Sequence, residues 1–208
     1  EAPPAAARPT GGAAALEFAA LGTGLTLTVL ALAHLPSWAR SVGTFQLLAL
    51  LAFAFFALAV AGLDRYRRVP AAGMLVFAVA LATRAALLPV TPTLSDDIYR
   101  YVWEGKVAGH GADPYRLPPS HPALAALRDQ RIWPRVNHPE LAAIYPPLSL
   151  AGFALVAAVS PTVGAMKVWI ILHDLALVGV LLAWCARSAG GAAAALVYAW
   201  NPLALVEY

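Results

Sequence analysis

Long apolar runs separated by short polar connectors make up most of this chain. One polar stretch, Thr91 to Ala143, interrupts them. Leu16–Leu35, Thr44–Leu63 and Ala71–Val90 are each almost free of charge, the exceptions being Glu17 at the edge of the first run and Arg84 in the third. A helix needs roughly 20 apolar residues to cross a hydrocarbon layer about 30 Å thick, so each run predicts a transmembrane helix. Beyond the polar stretch, Tyr145–Ser160 opens with Pro146-Pro147, which suits a first helical turn. Val163–Ala183 and a last run ending in YAWNPLALVEY follow. The pattern predicts an all-α, polytopic transmembrane bundle of about six spans. One large extracytoplasmic loop is expected to carry short helices lying at the membrane surface.

The organisation that follows is a flexible tail over residues 1–15, three transmembrane helices over 16–90, a loop with the candidate active site over 91–143, and about three further helices over 144–208. The last run ends at the chain's final residue, so the chain is expected to be the N-terminal part of a longer protein. Composition agrees with the pattern: 61% of the 208 residues are hydrophobic and 12% are charged, against about 45–50% and about 25% in ordinary globular domains. The net charge of +3 comes without a basic stripe, which argues against nucleic acid and for membrane lipids as partners. The lone Cys185 forms no intramolecular disulfide.

The connector DRYRRVP, Asp64–Pro70, carries three arginines and is expected on the cytoplasmic side. The N-terminus is then cytoplasmic and the loop after Val90 extracytoplasmic. In that loop, Ser95 before Asp96-Asp97 reads as the N-cap of a helix running to about Ala108, with Asp96/Arg100 and Asp97/Tyr101 paired four residues apart. Arg84, inside an apolar run, is a functional candidate by its position. Lys167 is expected to reach for the interface, and His173-Asp174 to pair within the bundle. No spacing of His, Cys or carboxylates reads as a metal site, and metal dependence stays open.

Three blocks carry a resemblance. SDDIYRYVWEGKVAGHGADPYRLPP is followed by HPELAAIYPPL, and WNPLALVE lies near the end. Asp97–Gly105, Gly111–Tyr115 and Ile144–Pro147 occur in order. They resemble bacterial polyprenyl-phosphate-dependent glycosyltransferases of the C superfamily, particularly the mannosyltransferase-like members. The resemblance implies a protein of the bacterial cytoplasmic membrane that moves a sugar, here mannose, from a polyprenyl-phosphate donor to an extracytoplasmic acceptor. It places the general base at Asp96 or Asp97. Arg84, Arg100, Lys106 and Arg116 are the candidate phosphate partners, and Tyr101, Tyr115 and Tyr145 the candidate substrate contacts. The lipid-linked sugar takes the place of a cofactor. The alternative is a non-catalytic transmembrane subunit, derived from such a scaffold, with protein partners in a larger membrane complex.

Overall fold

The computed structural model describes residues 11–206; the first ten residues of the expected tail lie outside them. All regular structure among the described residues is helical. Helix α1 (Gly11–Ala33) starts before the first apolar run, so residues 11–15 are helical. It is followed by α2 (Val42–Ala61), the single turn α3 (Leu63–Tyr66), α4 (Ala72–Leu87), α5 (Asp97–Gly109), α6 (Pro147–Val159), α7 (Val163–Cys185), and the short α8 (Leu196–Ala199) and α9 (Pro202–Val206). Two 3-10 turns, Pro122–Leu127 and Trp133–Arg135, lie in the polar segment. α1, α2 and α7 are long and apolar enough to cross a membrane. α4 and α6 are apolar but span 16 and 13 residues. The last run is broken between α8 and α9 at Trp200–Asn201, where Pro202 brings no backbone N–H.

Among the described residues, those up to Val90 and those from His173 on form one compact unit and Thr91–Leu172 a second. In the first unit only Ala52 and Ala59 of α2 are buried, while Leu47, Leu50, Leu51 and Leu58 are exposed. Such a surface would aggregate in water and is indifferent in lipid. Small residues decide the packing: a side chain on Gly22 would meet Val79 at 2.7 Å and the Trp200 ring at 3.0 Å. Trp200 fills that notch, donates its indole N–H to Val76 O at 3.1 Å, and stacks on Phe18. Arg84 is fully buried here. Its Nε donates to Asp174 Oδ2 at 2.7 Å and one terminal nitrogen to Ala199 O at 2.6 Å, while Tyr198 donates to Asp174 Oδ1 at 2.5 Å. Asp174 therefore pairs within the bundle as expected.

The second unit is built on α5 lying against α6. The approach is so close that a Cβ on Gly105 would sit 2.3 Å from Phe153 O. Tyr99, Val102, Trp103 and Val107 of α5 pack with Leu150, Phe153 and Val156 of α6 and with Leu124, Ile132 and Val136 of the loop. Lys167, near the start of α7, is buried at 1% exposure and does not reach outward for the interface as anticipated. A side chain this deeply enclosed keeps both stem and ammonium inside the protein, whereas snorkelling needs the head in water.

Candidate functional site

The site is assembled around α5. The helix starts one residue later than the Ser95 reading implies: Asp96 occupies the capping position, and Ser95 Oγ accepts from Asp97 N at 3.2 Å. The four-residue pairing of Asp96 with Arg100 does not occur. Arg100 turns instead toward the next turn of α5, where its Nε donates to Glu104 Oε1 at 2.7 Å. Its terminal nitrogens donate to four loop carbonyls: Asn137 at 3.3 Å, His138 at 2.9 Å, Ala142 at 3.0 Å, and Leu141. All five guanidinium N–H groups are thus committed to the protein, and the side chain is buried. Arg100 is the pin that folds residues 137–142 onto α5. His138, held with φ at 45°, is in the left-handed region where a non-glycine residue is strained, and its carbonyl is one of those Arg100 secures.

That folding brings the two acids their partners. Asp96 Oδ1 accepts from Arg135 at 2.6 Å, and the same guanidinium donates to the Tyr99 hydroxyl and lies over the Tyr99 ring, 4.1 Å from its centre. Asp97 Oδ1 accepts from the Asn137 amide at 2.6 Å. Each carboxylate therefore has one oxygen held and its other oxygen open. The side chain of Asp96 is 47% exposed. Arg135 and Asn137 escaped the sequence reading because no periodicity relates positions 135 and 137 to 96 and 97; the block WPRVN between prolines was their only trace.

The remaining candidates divide. Tyr101 stacks on Phe153 and meets Tyr145 edge-on at 5.0 Å. Tyr115 donates to Tyr145 O at 2.5 Å, and Ala143 N to Pro114 O at 2.9 Å, so the second and third sequence blocks are clasped together. Burial, then the nearness of Tyr101, Asp97 and Glu104, pushes the Tyr145 phenol well above its ordinary range and keeps it a hydrogen-bond donor. Arg116 is 86% exposed, and Asp113, 3.4 Å away, is its ionic neighbour among the described residues. Lys106 donates to Leu127 O at 2.5 Å and Asp129 Oδ2 at 3.1 Å. Arg84 belongs to the other unit, with partners inside that unit. Among the described residues no three His, Cys, Asp or Glu side chains converge as metal ligands would.

Glu104, beneath Arg100, is itself unusual. Burial drives its carboxyl above the usual range despite the opposing Arg100, and Oε2 accepts no hydrogen bond. The arrangement offers two carboxylates, each with one oxygen not engaged by the protein, and a guanidinium beside Asp96, which is equipment for taking a proton from a hydroxyl.

Residues 8–208 match the model of the N-terminal domain of a family described as alpha-(1->6)-mannopyranosyltransferase. Neither the search of curated proteins nor that of solved structures returned a match.

Proposed function

Since this chain belongs to the alpha-(1->6)-mannopyranosyltransferase family, we propose that it is the part of a membrane-integrated mannosyltransferase that carries the catalytic base. The donor is a polyprenyl-phosphate mannose and the acceptor an extracytoplasmic hydroxyl. Membrane integration rests on the apolar helices and the family; about six spans, the cytoplasmic membrane and an external loop belong to the proposal.

The observation that carries it is Asp96-Asp97, each with one oxygen pinned by Arg135 or Asn137 and the other free. A pinned carboxylate is oriented before substrate arrives, which is how a general base gains efficiency. In the reaction an open carboxylate oxygen takes the proton of the acceptor hydroxyl as the hydroxyl oxygen bonds to the anomeric carbon. The bond from that carbon to the phosphate oxygen breaks, its electron pair leaves with the polyprenyl phosphate, and configuration inverts. Arg116 is the phosphate partner best supported, because its guanidinium is open to solvent, whereas Arg100 has no N–H left.

The test is transfer from polyprenyl-phosphate mannose by the full-length protein in membranes. Asp96→Asn with Asp97→Asn is expected to lower turnover by 10²-fold or more, the scale of general-base catalysis. Unchanged turnover in the double variant removes the base.

A further inference from the structure

A cavity of about 630 Å³ opens on the second unit, away from the acid pair. Tyr99 and Lys106 of α5 form one wall, Asp129 to Ile132 a second, and Pro161 to Val163, at the start of α7, the third. Its size is within the roughly 300–1,000 Å³ of pockets that take small organic ligands. Lys106 and Asp129 neutralise each other across 3.1 Å, leaving Arg131 as the surplus charge among the lining side chains. Asp129 is fixed in place because its other oxygen accepts from Arg131 N at 2.8 Å and Ile132 N at 2.6 Å. A phosphate entering here would meet that carboxylate. A neutral polyol would meet a fixed acceptor, the Gln130 amide, the Arg131 guanidinium and the apolar sides of Ile132, Pro161 and Val163.

The cavity also has a physical link to the acids. Asp96, Tyr99 and Lys106 fall within about 80° of each other around α5 and span about 15 Å of its length. Arg135 ties Tyr99, a cavity wall, to Asp96. Resting on the mannosyltransferase reading above, we propose that this cavity is a saccharide-binding site. It holds the glycan part of the acceptor by Asp129, Gln130 and Arg131, so that the chain end is led along α5 to the acid pair.

Binding of α-(1→6)-linked mannotriose to the detergent-solubilised full-length protein tests this, read by calorimetry without turnover. Gln130→Ala with Arg131→Ala removes two exposed lining side chains, and Gln130→Trp sets a bulky ring in the cavity wall. Each is expected to weaken binding at least tenfold with melting temperature unchanged, while the Asp96→Asn, Asp97→Asn protein still binds. Failure of the wild type to bind, wild-type affinity in either cavity variant, or displacement of the trisaccharide by a short-chain prenyl-phosphate mannose overturns the site. If turnover survives loss of both acids yet the cavity variants lose the trisaccharide, the base reading falls and the cavity stands.

Discussion

Replacing Arg100 by Met should loosen the loop over α5 without touching either acid. The substitution keeps length and apolar bulk but removes five donated hydrogen bonds. The four loop carbonyls can turn to water, each at a net cost of about 1 kcal/mol or less. Glu104 cannot follow, since its side chain is only 2% exposed and Oε2 already has no partner. Removing one member of a buried ion pair costs about 3–5 kcal/mol. Residues 137–143 should accordingly exchange amide hydrogen about 10²–10⁴-fold faster than in the wild type. The effect has a pH signature. A carboxyl raised above its unfolded value of 4.5 contributes stability that is present below that value and lost as pH rises through the raised one. With the guanidinium gone nothing would oppose the shift, so the variant's penalty should grow as pH rises above 4.5. Adding Glu104→Gln to Arg100→Met should recover much of the loss. Wild-type exchange in residues 137–143, or a penalty flat with pH and unrelieved by Glu104→Gln, would refute the reasoning.

Gly105→Ala places a Cβ 2.3 Å from a backbone oxygen that cannot step aside, so a loss at or above the upper end of about 1–3 kcal/mol is expected in thermal unfolding. Gly109→Ala, with nothing within 4 Å, should be neutral or slightly stabilising in the same assay. Asp174→Ala strands the buried Arg84 and should cost about 3–5 kcal/mol, while Arg84→Met with Asp174→Leu should cost less; equal losses in detergent melting would deny that the charge is the cause. Burial works against ionisation of Asp129, but the N–H groups of Ile132 and Arg131 and the Lys106 ammonium overcome it and hold the carboxyl below 3.8. Its contribution is therefore present above 3.8 and fades as pH falls through the lowered value, and protection of residues 129–132 should fail only under strong acid.

The apolar runs by themselves determined where helices form and that lipid surrounds some of them, because burying a hydrocarbon stretch depends on local composition alone. They also marked α5, whose caps and periodicity are local properties, and singled out Asp96 and Asp97 as the acids to watch. They could not show which helices reach full span length: α4 and α6 stop short where Leu88 and Ser160 follow, although their runs look continuous. Nor could they assign the partners of the charges. Helical spacing paired Asp96 with Arg100, whereas tertiary folding sends Arg100 to Glu104 and four loop carbonyls, and brings Arg135 from 39 positions away to Asp96. Arg84 and Asp174 find each other across 90 positions. A buried charge must find an opposite charge and a buried donor an acceptor, but which ones are near is decided when the glycines let the helices close. At Gly105 that closure sets α5 against Phe153, and the loop that brings the acids their partners is pinned to that helix.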